Sequence, residues 1–268
     1  MDAQPETGLG VIGFRPDRQH TLHITIRDVD GETTTSAPLI YTSPPLPDDV
    51  RLFPPMHVTV SQPERMEPGL TLVMARRRIP GEPTELTPEQ RAFNINYGLM
   101  ILLDTQGEVV WYLQTQARVA DAIRLHNGNF LYLTTDFRLT EVDPLGNERQ
   151  AWYARHRPQG PDDTAIPIEA QTLHHCIYEL ANGNFMAFTA NAQEVPDFYT
   201  SEWDPNAPRQ TQMVMRDTII EFTREGEVVW RWNCFDHLDP YRIGYETLYT
   251  YWWVRGFPGH ADWTHGNS

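Results

Sequence analysis

The sequence predicts an all-β fold, a partial β-propeller of about three four-stranded blades with the start of a fourth. Three observations carry this. First, runs of β-branched and aromatic residues flank tight-turn signals: residues 123–133 run Ile-Arg-Leu-His-Asn-Gly-Asn-Phe-Leu-Tyr-Leu, and residues 173–188 repeat the pattern around Asn182-Gly183-Asn184. Asn and Gly tolerate positive φ, and the flanking residues suit a pleated surface. Second, another hairpin follows each of these, around Asp143-Pro144-Leu145-Gly146-Asn147 and around Glu225-Gly226, with a further copy around Gln106-Gly107. Third, the turns are evenly spaced. Gly107 stands 20 residues before Asn127, which stands 19 before Gly146, a unit of 39 residues. Four-stranded units of roughly 40 residues used repeatedly are the mark of propeller blades.

The later repeats are longer. Asn127 to Asn182 is 55 residues, so about 16 extra residues fall around Arg157-Pro158-Gln159-Gly160-Pro161. Asn182 to Gly226 is 44, which places another ~25 residues inside that blade. Residues 190–213, polar and without periodicity, fit a loop insertion, and insertions of this kind collect on one face of a repeat fold.

Ahead of the repeats, residues 1–48 read as a truncated, fibronectin-III-like β segment. Residues 21–27 alternate apolar and polar, Asp28-Val29-Asp30-Gly31 is a turn, and residues 36–42 form the next strand. Residues 49–65 are a Pro-rich linker containing a short strand at His57-Val58-Thr59-Val60, and residues 66–268 are the incomplete propeller. Met66-Glu67-Pro68-Gly69 is a turn before a buried strand. Thr87-Pro88-Glu89-Gln90 has a cap, then Pro at the first helical position, then an acid, which starts a short helix. The last residues, 259–268, read as the first strand of a fourth blade, cut off.

Composition excludes several functions. The chain has 268 residues and a formal net charge of −15, with no basic cluster beyond Arg76-Arg77-Arg78. Nucleic acid is not an expected partner, because phosphate binding needs a basic surface. No apolar run approaches the ~18 residues of a membrane span. The N-terminus is acidic and shows no signal peptide. All 21 basic residues are Arg, which removes lysine-amine chemistry and supplies forked donors suited to phosphate, sulfate or carboxylate. Cys176 and Cys234 form neither a disulfide framework nor a zinc set, and their pairing is left open. No cofactor and no metal site are expected.

The candidate chemistry lies with histidines. In His265-Gly266-Asn267, strand alternation puts His265 and Asn267 on one face; in His174-His175-Cys176 it puts His174 and Cys176 together. If both stretches open neighbouring blades, His174 and His265 point into the same channel. Imidazole serves as nucleophile, base or hydrogen-bond donor, and the Asn267 amide donates to an oxyanion without titrating. His126, His156, His237 and His260 are read instead as structural, as a lone strand histidine usually is.

The chain resembles the bacterial arylsulfate sulfotransferase family, the enzymes that use no nucleotide sulfate donor. The matching pieces are Met66-Glu67-Pro68-Gly69-Leu70-Thr71-Leu72, His174-His175 followed by Leu180-Ala181-Asn182-Gly183-Asn184, Phe235-Asp236-His237-Leu238-Asp239-Pro240, and Asp262-Trp263-Thr264-His265-Gly266-Asn267-Ser268. The resemblance implies a six-bladed propeller behind a small β-sandwich. It implies sulfuryl transfer from a phenolic sulfate donor to a phenol acceptor through a sulfohistidine. His265, His174 or His175 would be catalytic, and Asn267 with His265 would bind the sulfate oxygens. In the family pattern the nucleophilic histidine and a sulfate-binding arginine follow the last motif, so the chain as written is expected to be an incomplete, weakly active or inactive piece. Cys176 departs from the carboxylate common after the histidine pair. Family resemblance places the protein in the periplasm or outside the cell, and a homo-oligomer is open. A non-catalytic propeller that binds proteins or glycans, and a quinoprotein-like propeller, are the rival readings.

Overall fold

The computed structural model describes residues 10–81, 85–201, 204–242 and 259–262. The protein is all-β, with 42% strand against 6% helix, and among the described residues no sheet closes on itself. The chain gathers into two compact units, residues 1–73 with 99–113, and residues 74–98 with 114–268.

The first unit begins with a nested hairpin. Strands β1 (Gln19–Leu22) and β4 (Leu39–Thr42) pair outside, β2 (Thr25–Arg27) and β3 (Thr33–Thr35) pair inside, both antiparallel. The expected turn closes it: the Asp28 carboxylate accepts from the backbone N–H of Asp30 and Glu32, and Gly31 takes φ 87°. That left-handed angle is open to Gly without a Cβ penalty. The segment at His57-Val58-Thr59-Val60 is not a strand. Val58 and Val60 are exposed, so the β-branched residues there have no sheet to join. A three-stranded sheet follows, β5 (Thr71–Ala75), β6 (Gly98–Leu103) and β7 (Val109–Thr115), with β6 central. Leu99, Met100, Ile101 and Leu102 on β6 are buried, whereas β5 is only half-buried rather than the buried strand expected.

In the second unit, helix α1 (Pro88–Ile95) starts where the sequence places it. Thr87 accepts from the Gln90 N–H and the Gln90 side chain accepts from Thr87, a capping box that satisfies two otherwise orphaned donors. Two meanders make up the rest. The first is β8 (Val119–Arg124), β9 (Phe130–Thr134), β10 (Arg138–Val142) and β11 (Glu148–Ala154), with β12 (Ile166–Ile168) added parallel to β11. The second is β13 (His174–Glu179), β14 (Phe185–Phe198), β15 (Gln210–Phe222) and β16 (Val228–Asn233).

Within the supposed insertion at residues 190–213, residues 190–198 belong to β14 and residues 210–213 to β15. They continue the β14–β15 ladder in register from Phe185↔Phe222 to Val195↔Gln212. Past Phe188, β14 has no ladder partner on its β13 side among the described residues; there the Ala190 and Ala192 N–H groups donate to the side chains of Thr172 and Gln171. That flank tolerates Pro196 and polar residues, which is why periodicity is missing. Ala261–Asp262 form β17, which joins Val214–Met215 of β15 in parallel; residues 263–268 lie outside the described residues.

The meanders share one core. Trp152, Phe185 and Phe222 are fully buried, with Trp152 edge-on to Phe185 at 5.3 Å between ring centres. Each such side chain contributes about 1.5–3 kcal/mol through burial. Polar locks align the sheets. Arg224, in the β15–β16 turn, donates to Glu141 on β10 at 2.6 Å, and its carbonyl accepts from the indole N–H of Trp152 at 2.8 Å.

Candidate functional site

The described part of the site is the start of β13. Its ladder with β14 runs Ile177↔Ala187 and then His174↔Phe188, so adjacent residues on β14 face residues three apart on β13. His175 and Cys176 are the extra residues of a β-bulge, and His175 takes φ 61°. For a residue with a Cβ this left-handed conformation costs roughly 1–2 kcal/mol. Bulges of this kind re-aim side chains beside functional sites.

His174 and Cys176 are buried with half-buried His175 between them, and Ile177 is buried as well. The Ile177 N–H, displaced from the ladder, donates instead to Oδ2 of Asp121 on β8 at 2.9 Å. Burial raises the Asp121 carboxyl above its ordinary value, against the pull of the Ile177 and Ala122 backbone donors. Asp121 therefore ties the histidine-bearing bulge to the neighbouring sheet.

His174 is buried and lies flat on Phe188, at 5.8 Å and 12°. Its Nδ1 is 2.8 Å from Nδ1 of His175, and the rings stand nearly perpendicular, at 86°. Its Nε2 is 3.3 Å from Oδ1 of Asp217, a buried carboxylate on β15. A carboxylate, a buried imidazole and a half-buried imidazole thus stand in line. Asp217 was missed from the sequence, where it is one aspartate in a strand; the only sign was an acid inside a run otherwise fit for a core.

His265 and Asn267 lie outside the described residues, so the structure speaks only to the His174–His175 half of the site. Three of the other histidines have the following local partners. His126 contacts Glu179 at 3.1 Å, His156 contacts Glu169 at 2.5 Å, and His237 stacks on Trp232 at 4.9 Å. Cys176 and Cys234 are both buried and are not joined to each other by a disulfide.

Stacked antiparallel meanders with a histidine pair set on a strand bulge define an all-β protein equipped for imidazole chemistry. The chain belongs to the arylsulfotransferase (ASST) family, whose model matches residues 56–268. No curated protein matches. Among solved structures, a protein of unknown function from Bacteroides caccae is similar at 12% identity, over 51% of this chain and 60% of that one, with a TM-score of 0.25. This chain thus spans less than two thirds of that protein. Among the described residues no helix is long and apolar enough to cross a membrane.

Proposed function

We propose that the protein transfers a sulfuryl group from a phenolic sulfate ester to a phenol, on a propeller whose blades are the meanders described above. Domain limits of 1–48, 49–65 and 66–268 and a periplasmic or extracellular location go with this reading. The observation that carries it is the bulged His174–His175 pair within a chain of the ASST family. The reaction is a double displacement. The S–O bond to the donor phenol breaks as an N–S bond forms on a histidine, which in the family pattern follows the last motif. The acceptor phenol oxygen then attacks sulfur, the N–S bond breaks, and the phenol proton passes to an imidazole. His174, His175, His265 and Asn267 are assigned to the sulfuryl oxygens and to this proton. Imidazole N–H and amide N–H groups suit that charge because they are fixed donors in a partly dry site.

The test is release of 4-nitrophenolate from 4-nitrophenyl sulfate with phenol as acceptor, in a form of the protein that carries the family's nucleophilic histidine, with and without His265→Ala. A fall of at least tenfold is expected for the variant. Equal rates remove His265 from the mechanism.

A further inference from the structure

We propose that Asp121 is a positioning residue for sulfuryl transfer: its carboxylate clamps the bulge of the neighbouring strand and so fixes the place from which the His174–His175 pair acts. The proposal rests on the sulfuryl-transfer reading of this site and deepens it by adding a residue from a different sheet.

The bulge has two ends. At one, His174 faces Phe188 in the β13–β14 ladder; at the other, Ile177 faces Ala187. His175 and Cys176 are surplus between them, and His175 holds φ 61°, a conformation disfavoured by a Cβ. A bulged strand has a competing arrangement, in which the ladder slips by one residue and side chains exchange faces. A bond at the far end of the bulge opposes that slip. Ile177 is fully buried, so its N–H needs an acceptor. Oδ2 of Asp121 accepts it at 2.9 Å, while Oδ1 of Asp121 accepts from the Ala122 N–H, also at 2.9 Å. Each carboxylate oxygen thus takes one backbone donor, one from β13 and one from β8. Bonds to an ionised acceptor are stronger than neutral ones, and this one ends on the first residue after the bulge.

β8 is bulged as well. Val119 faces Thr134 and Asp121 faces Leu133, which leaves Ala120 surplus. Ala120 and His175 are 55 residues apart, as are the turn residues Asn127 and Asn182. The two bulges therefore occupy equivalent places in the two meanders, and the carboxylate that follows the first secures the second. The hydrogen bonds of Asp121 go to backbone N–H groups, so it acts on the reaction through the shape of β13.

Asp121→Ala removes both acceptors, and Asp121→Asn keeps one acceptor oxygen. In Asp121→Ala, amide hydrogen exchange at Ile177 is expected to be at least about tenfold faster, the loss of one bond to a charged group, with the Phe222 amide unchanged. In a form of the protein that carries the family's nucleophilic histidine, Asp121→Ala is expected to lower kcat at least about tenfold with the donor KM within about twofold, and Asp121→Asn to recover part of it. Unchanged exchange at Ile177 in Asp121→Ala overturns the clamp. Faster exchange with wild-type kcat overturns the positioning role. If Asp121→Ala does not fold, the wild-type spectrum and Asp121→Asn decide. A scalar coupling across the hydrogen bond, from the Ile177 nitrogen to the Asp121 carboxylate carbon, is then expected, with a lowered kcat in Asp121→Asn; no coupling, or a wild-type kcat, overturns the proposal. Absence of sulfuryl transfer by the wild type removes the functional reading and leaves the clamp to the exchange rates; transfer with no change at Ile177 removes the clamp and leaves the functional reading.

Discussion

Arg224 leaves the turn of one sheet to hold Glu141 of the other, Nη1 to Oε2 at 2.6 Å. Glu141 is buried and accepts as well from Asn127 at 2.8 Å and Asn129 at 2.6 Å, the two asparagines of its own Asn-Gly-Asn turn. The second meander repeats the device: Glu221 accepts from Asn182 at 3.0 Å and Asn184 at 2.7 Å. The repeat seen in the sequence is therefore a repeat of hydrogen bonds as well as of strands. Removing Arg224 leaves a buried carboxylate short of its cation. Arg224→Met is expected to destabilise the protein by about 1.5–3 kcal/mol in urea unfolding, the range for hydrogen bonds to charged groups. The effect should shrink in a Glu141→Gln background, which a double-mutant cycle reads as coupling.

Gly226 closes the same turn at φ 85°, and a Cβ there would lie 2.7 Å from both Ile166 Cγ2 and the Pro167 carbonyl oxygen. The close approach of turn to β12 admits no side chain. Gly226→Ala is expected to cost about 1–3 kcal/mol from overpacking alone, with the left-handed backbone adding to it. A thermal midpoint equal to wild type would show that the turn does not pack on β12.

At His175 the usual order of Ala and Gly should reverse. Gly ordinarily weakens a strand relative to Ala. With φ at 61°, His175→Gly is expected to be more stable than His175→Ala by about 1 kcal/mol, since only Ala carries the left-handed penalty. Both variants lack the imidazole, so both should lose sulfuryl transfer. Comparing their denaturation midpoints isolates the backbone contribution of the bulge.

Acid should unfold the protein partly through Asp143. Its carboxyl is drawn down to about 2, first by the Asn147 side chain and further by the Asn147 backbone N–H and Arg149. A depressed carboxyl contributes stability that is complete above its unfolded value and is lost as pH falls through the folded one. The urea midpoint of the wild type should therefore fall between about pH 4 and pH 2. Asp143→Asn should start lower at neutral pH and change less across that window.

Much of this fold is legible in the sequence because turns announce themselves. Asn127-Gly128-Asn129, Asn182-Gly183-Asn184 and the Thr87–Gln90 capping box each need local chemistry that few residues supply. Other features left no such sign. The β14–β15 extension lacks alternation because one flank has no ladder partner among the described residues, and by composition it reads as a loop. The bulge at His175 depends on Asp121 of another sheet accepting the Ile177 N–H, a contact between residues 56 positions apart. Asp217 reaches His174 only because the long hairpin brings β15 beside β13 through β14. Of the candidate site, the His174–His175 pair was visible as a motif, but the different surroundings of its two rings come from packing.

The central claim is that the paired histidines serve sulfuryl transfer between phenols. Mass spectrometry of products after incubation with 4-nitrophenyl sulfate and phenol tests it most directly, with His174→Gln and His175→Gln alongside. The account predicts phenyl sulfate from a form of the protein that carries the family's nucleophilic histidine, and at least a tenfold loss in kcat/KM for either variant of it with the fold intact. An absence of phenyl sulfate, or its formation at the same rate by both variants, would contradict it.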